Sequence, residues 1–197
     1  MDDRFLNAFI DPAPFKLLGR SLYPWCLKYR VRLMAFKSPL ITGEGLVSPA
    51  DLIFACQVCA EEPLGELGFL DKLRINRLNN DPAKFEQLLK AFAGYVLVHD
   101  WPKFWEQDRK KSGGDKGVPW PLAIVSNLIA SGIDEKRAWE MPECQAIWLN
   151  SALAIRKGAE VAIMTPEEEA FMAAEEAAAT SKPTEEKTDQ HGPIPRS

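Results

Sequence analysis

Hydrophobic residues recur every three or four positions along most of the chain, which is the period of an amphipathic helix. Between Trp25 and Phe36 the apolar side chains follow this period, and lysine and arginine occupy much of the remaining positions. The same period returns after Asp81 and again after Pro142. We therefore predict a mainly α fold, with a single small helical domain over residues 1–164.

A short stretch near the start of the chain departs from this helical period. Residues 15–24 contain apolar positions on both sides of Gly19-Arg20 and end in a proline. Such a stretch is typical of two short strands that turn at the glycine. We predict a β-hairpin there, placed before the first helix of the domain.

Capping chemistry predicts where the other helices begin. Ser48-Pro49-Ala50-Asp51 combines an N-cap serine, a proline at the first helical position and an acid in the first turn. The helix after it should run to about residue 60 and be buried, since it is apolar almost all round. Similar signals predict helices over residues 82–99, 119–130 (stopped by Gly132), 135–141 (capped by Asp134) and from Pro142 onward.

Two segments lack the apolar residues that a core requires. Residues 107–117 are charged and glycine-rich, which predicts a mobile loop. Thr165-Pro166-Glu167-Glu168 forms a capping box that opens an acidic Ala/Glu helix over residues 165–178. Residues 179–197 are mostly Ser, Thr, Lys, Glu and Pro, so we predict a disordered C-terminal tail.

The net charge of −4 is unevenly distributed. From residue 165 onward eight acids oppose three basic residues, which gives −5, so residues 1–164 carry +1. A nearly neutral body has no long-range field to gather nucleic acid, and we expect no nucleic-acid partner. No apolar stretch approaches the roughly 20 residues that cross a bilayer, and the first residues do not resemble a signal peptide. We therefore expect a cytoplasmic protein with free thiols and no membrane association.

Cys56-Gln57-Val58-Cys59 is the motif most suggestive of chemistry. Two thiols at this spacing can ligate zinc or exchange disulfides. A structural zinc site needs two more ligands, however, and Cys26, Cys144 and His99 are scattered singly. A redox pair normally opens a helix, whereas this pair lies late in one. Core cysteines are the favoured interpretation, and a thiol or zinc protein that uses Cys56 and Cys59 is the enzyme-class alternative.

No other set of residues predicts catalysis. No serine, histidine and aspartate can be grouped into a triad from the sequence, and residues 112–117 lack the spacing of a phosphate loop. The small basic patch at residues 109–111 is largely cancelled by neighbouring acids. We therefore expect no enzymatic activity and no cofactor or metal.

Six tryptophans are present, and five of them follow residue 100. Most are expected in the core, but aromatic residues at helix boundaries also anchor protein interfaces. The four proposed protein-binding anchors are Trp101, Trp105, Trp139 and Trp148.

The second half of the chain resembles the phage tail assembly chaperones. The resemblance rests on Trp120-Pro121-Leu122-Ala123-Ile124-Val125, then Ala138-Trp139-Glu140-Met141-Pro142, then a helix containing Trp148. The hairpin and helices of the first half are similar to small proteins of prophage tail modules. The resemblance covers most of residues 12–175.

The resemblance implies a non-enzymatic helical protein of the bacterial host cytoplasm. Members of this family bind the long tape measure protein and help to recruit tail tube proteins around it. They often have a longer frameshifted form, which a disordered tail would suit. The resemblance transfers no binding residue to this chain. A structural or accessory virion protein is the alternative within the same binding class.

Overall fold

The computed structural model describes residues 3–10, 13–65, 67–98, 101–105, 117–159 and 162–180. Within these ranges the chain forms ten α-helices and one two-stranded antiparallel sheet, which confirms the mainly α prediction. The elements are α1 (Asp3–Ala8), β1 (Phe15–Leu17), β2 (Arg20–Leu22), α2 (Leu27–Ala35), α3 (Pro39–Thr42), α4 (Pro49–Cys59), α5 (Phe69–Asn79), α6 (Pro82–Val96), α7 (Trp120–Ala130), α8 (Glu135–Glu140), α9 (Glu143–Arg156) and α10 (Pro166–Thr180). None of the helices described combines the length and apolarity that crossing a bilayer requires.

The predicted hairpin is present, but its turn lies one residue earlier than predicted. Leu17 pairs with Arg20, so the turn residues are Leu18 and Gly19, with φ angles of +52° and +74°. Two positive φ values match the right-handed twist of a two-residue hairpin. Arg20 therefore belongs to β2, and its side chain is buried.

Local capping fixes the helix starts as predicted. Ser48 and Asp51 form a reciprocal capping box at α4, in which the Ser48 amide donates to Asp51 Oδ2 over 2.8 Å. The Asp134 carboxylate accepts from the amide of Arg137 over 3.0 Å at the start of α8. At α10 the amide of Thr165 donates to Glu168 Oε2 over 2.8 Å.

Several boundaries differ from the predictions. Helices α1, α3 and α5 were not predicted, and α6 ends at Val96 instead of near residue 99. Helix α10 continues to Thr180, two residues beyond its predicted end. Nearly all of the predicted loop at 107–117 and of the tail at 179–197 lies outside the described residues.

Helix α2 lies between two hydrophobic clusters. Its Tyr29 and Leu33 pack in the first cluster, with the hairpin, α4 and α6. Its Leu27 packs in the second cluster, formed by α7, α8 and α9. Helix α4 has buried residues all round, as its composition predicted, and is the centre of the first cluster.

A buried ion pair joins α2 to the start of α9. Arg30 donates from Nε and Nη2 to the two carboxylate oxygens of Glu143 over 2.6 and 2.8 Å. The guanidinium lies 5.4, 5.4 and 5.3 Å from the ring centroids of Trp25, Trp101 and Trp120. These contacts combine a bidentate charge-assisted pair with cation–π packing between the two halves of the chain.

Candidate functional site

Helix α5 exposes large apolar side chains to the solvent and buries a carboxylate against the rest of the protein. Phe69, Leu70 and Leu73 are 75, 64 and 39% exposed, whereas Asp71 is only 5% exposed. Leu73 lies three and four positions after the other two, so the three side chains share one stretch of helix surface. This set of three residues is called the α5 face. Leu78 near the end of the helix is buried as usual, but a buried acid beside exposed large apolar groups in the first turns departs from the usual arrangement of an amphipathic helix.

The buried side of α5 is held by hydrogen bonds to Asp71. Arg20 of the hairpin donates from Nη2 to both carboxylate oxygens over 3.0 and 2.8 Å. Gln57 of α4 donates over 3.1 Å, and Arg74 of α5 donates over 2.9 Å. Burial works against ionisation of Asp71, but the hydrogen bonds and charges of the two arginines outweigh it, so its pKa lies below its usual range. The carboxylate is therefore ionised, and both of its oxygens accept hydrogen bonds from neighbouring side chains.

Arg20 itself is held from two sides. Its Nε donates over 2.8 Å to Glu62, which lies three residues after the end of α4. Burial tends to lower the pKa of Arg20, but hydrogen bonds to Asp71 and Glu62 raise it above its ordinary value. The guanidinium therefore links β2, the end of α4 and α5. Because the Nη2 group of Arg20 bridges both carboxylate oxygens of Asp71, the pair sets the rotation of α5 about its own axis.

In this orientation of α5, the side chains of the α5 face stay exposed to water and are not part of the hydrophobic core. Burying one leucine or phenylalanine side chain contributes roughly 1.5–3 kcal/mol, so three exposed ones forgo a substantial stabilisation. Leu64, in the segment that leads into α5, is also 43% exposed. Clustered exposed apolar groups are typical of protein interaction sites, whereas single ones are ordinary.

The cysteine pair is part of the core. Cys56 and Cys59 are fully buried in the first cluster and are free thiols. Burial is the main cause that raises the pKa of Cys56 to about 12, and it raises the pKa of Cys59 further. Among the described residues no three His, Cys, Asp or Glu side chains are grouped so that they could hold a metal. Reactive thiolates need the opposite environment, exposed and electropositive.

The four proposed tryptophan anchors do not form one surface. Trp148 is 3% exposed and belongs to a small cluster with Ala8 and Cys144, so it is a core residue in this structure. Trp101 packs partly against the same cluster and meets Trp120 edge to face, with centroids 5.9 Å apart. Trp139 packs partly against the second cluster.

Trp105 is the proposed anchor with the most open surroundings. It is 38% exposed and lines a cleft of about 560 Å³ between residues 103–105 and α10. The other residues of this cleft are Lys103, Phe104, Met164, Glu169, Met172 and Ala173. The Trp105 indole Nε1 donates to Glu168 over 3.4 Å, which is a long contact. The cleft could accommodate an apolar side chain, but Lys103 and Glu169 also line it, whereas the α5 face consists of apolar side chains alone.

The α5 face was not predicted from the sequence, although the apolar residues of a helix can be recognised in this segment. Leu70, Leu73 and Leu78 recur at helical spacing between Gly68 and Asn80. That pattern supports a helix, but it does not say which side is buried. The orientation depends on Arg20, which lies 51 residues from Asp71 in the sequence.

No protein family model matches this sequence, and no curated protein or solved structure is significantly similar to it.

Proposed function

We propose that the protein is a non-enzymatic tail assembly chaperone of the phage type, which binds the tape measure protein through the α5 face and aids tail tube assembly. The observation that carries the proposal is the orientation of the first turns of α5, with Asp71 buried and Phe69 exposed. The sequence resemblance supplies the identity of the client, the protein that the chaperone binds.

The chemistry of the α5 face suits an apolar helical segment as its ligand. Side chains at i, i+3 and i+4 form a ridge that fits the groove between side chains of another helix. Long client helices would otherwise expose such grooves to water before they assemble. Association removes apolar area from water on both proteins, which is the main driving force of such contacts.

The ion pair around Asp71 supports the proposal because it holds the face open. If α5 rotated to bury Phe69, Arg20 would lose the carboxylate that its Nη2 group bridges. Breaking a buried pair of this kind costs about 3–5 kcal/mol, which is comparable to the gain from burying one or two apolar side chains. The binding surface is therefore built into the folded state before a client arrives.

The proposal is tested by capture of the tagged full chain from cells that express its native gene neighbourhood, followed by mass spectrometry. The test variant is Phe69→Asp with Leu70→Asp. Both positions lie in the first turn of α5, where an acid interacts favourably with the helix dipole, so folding should persist. The control is Leu46→Asp, which introduces a single aspartate at a side chain that is 97% exposed.

We expect the wild-type chain and the control to recover a very long helical protein together with tail tube subunits. The α5 double variant should recover at least about tenfold less, which corresponds to 1.4 kcal/mol of lost binding free energy. Equal recovery by all three chains would contradict the proposal. Detection of the chain in purified finished particles would favour the structural or accessory virion protein.

A further inference from the structure

We propose that the α5 face also binds helix α10 of a second copy of this chain, so that the protein associates with itself through α5 and α10. The inference goes beyond client binding and does not depend on it, because it concerns only two copies of the same sequence. It rests on two exposed faces whose apolar positions and charges are complementary.

Helix α10 presents an acidic outer stripe with one aromatic residue at its centre. Glu167, Phe171 and Glu175 lie four positions apart, so they follow one line along the helix. All three are exposed, and Phe171 is 62% exposed. The helix contains no lysine or arginine. Its outer stripe is therefore apolar in the middle and negative on either side.

Other residues of α10 already make contacts within their own chain. Glu169 pairs with Arg4 and with Lys103, whose Nζ lies 3.1 Å from Glu169 Oε2. Glu168 completes the capping box with Thr165, and Met172 lines the cleft beside Trp105. These contacts fix which side of α10 faces outward.

The surface of α5 offers the matching pattern. Phe69, Leu73 and Arg77 lie four positions apart in a line, and Lys72 lies beside Phe69, three positions after it. Lys72 and Arg77 are exposed and positive. The single acid of α5, Asp71, is buried and neutralised by arginines, so it does not oppose an approaching carboxylate. Phe171 can meet Phe69 and Leu73 while the glutamates of α10 meet Lys72 and Arg77.

A second copy of the chain is the partner that this inference assigns to each face. Both faces are exposed in the described chain, although α5 is held by Arg20 and the start of α10 is held by Arg4 and Lys103. A second copy supplies both partners at once. In a two-fold pair of chains the α5–α10 contact is made twice and the assembly closes as a dimer, whereas a head-to-tail arrangement of the same contact gives larger assemblies.

The association is tested by sedimentation velocity of the full chain over a range of concentrations at low and high salt. We expect a concentration-dependent increase in mass that weakens as salt screens the charges. A chain that remains a monomer at every concentration in low salt overturns the inference.

Two charge-reversed chains make the test specific. One carries Lys72→Glu and Arg77→Glu on α5, and the other carries Glu167→Lys and Glu175→Lys on α10. Each alone presents like charges on both faces, so its self-association should weaken roughly tenfold or more. Mixed together they present opposite charges at both contacts and should form a heterodimer. Failure of the mixture to associate overturns the inference.

Further variants guard against effects on folding. Phe171→Ala removes the apolar centre of the α10 stripe while favouring the helix, and it should weaken self-association. Lys84→Glu with Lys90→Glu reverses two exposed charges on α6 and should leave association unchanged. If Phe171→Ala leaves the association constant at its wild-type value, the contact does not involve α10.

Failure of this inference is separable from failure of the proposed function. The α10 variants retain the whole α5 face, so they should capture the tape measure protein at least as well as the wild-type chain. The Phe69→Asp, Leu70→Asp variant should lose both self-association and capture of the tape measure protein. Loss of self-association with unchanged client capture in the α10 variants supports both proposals together.

Discussion

At the scale of single residues, Asp71 has the largest consequence for the surface of the molecule. Its carboxylate is buried, and it accepts hydrogen bonds from Arg20, Gln57 and Arg74. An aspartate in a first helical turn is ordinarily read as an exposed group that interacts with the helix dipole. Here it fixes the rotation of α5 and thereby exposes Phe69 and Leu70.

The substitution Asp71→Asn is expected to destabilise the protein by about 3 kcal/mol, because Arg20 stays buried without the carboxylate that pairs with it. The free energy of unfolding is measured by urea denaturation. The matched control is Glu86→Gln, which breaks an exposed pair with Lys90 and should leave the midpoint unchanged. An equal effect of the two substitutions would contradict the role given to Asp71.

The stability contributed by Asp71 should depend on pH in a defined direction. Its pKa is lowered by folding, so its contribution is complete above the unfolded pKa of about 3.9 and is lost as the pH falls through the folded value. The difference in unfolding free energy between wild type and Asp71→Asn should therefore shrink from neutral pH to about pH 3. A difference that stays constant over this range would refute the assignment.

At the scale of secondary structure, local signals in the sequence were sufficient to predict most of the helices. The capping residues Ser48, Asp134 and Thr165 act within three positions of their partners, so their effect can be read from the sequence. The hairpin was also predicted, with its turn displaced by one residue. Helix α5 was missed, and its orientation could not have been predicted locally, because Arg20 is brought to it by the packing of the hairpin.

The candidate site was less predictable than the fold, for a related reason. Tryptophans were proposed as anchors because the residue type is common at interfaces. Trp148 is instead buried in the core, and Trp101 is engaged with Trp120 and Arg30. Residue type indicates what a side chain can do at a surface, whereas its exposure depends on contacts between distant elements.

Helix α10 should be held to the rest of the protein mainly by polar contacts at its first turns. Glu169→Gln removes the charge that pairs with Arg4 and Lys103. We expect faster amide hydrogen exchange across α10 with little change in the urea midpoint, since local opening does not require global unfolding. Glu167→Gln, on the exposed side, should leave exchange unchanged. Equal exchange in both variants would show that these ion pairs do not hold the helix.

At the scale of the whole molecule, α2 connects the two clusters through its two sides. Arg30 extends this connection to α9 through Glu143, which is 1% exposed. Burial raises the pKa of Glu143, and the hydrogen bonds from Arg30 act against that rise. The pair lies among three tryptophans, so loss of its anion would leave a guanidinium in a largely apolar site.

Glu143→Gln should destabilise the protein by about 3 kcal/mol and lower the Tm by roughly 10 °C. The Tm is measured by calorimetry, with near-ultraviolet circular dichroism to follow the tryptophans. The control is Glu140→Gln, which alters a more exposed contact with Lys28 and should have little effect. An unchanged Tm for Glu143→Gln would mean that the ion pair does not join the two halves.

The central claim is that a client protein binds the α5 face, and photo-crosslinking tests it most directly. The full chain carries p-benzoylphenylalanine in place of Leu70, or in place of Leu46 as the control, and is irradiated in complex with the tape measure protein. We predict strong crosslinking from position 70 and background crosslinking from position 46. Background crosslinking from position 70 in a complex that still forms would contradict the claim.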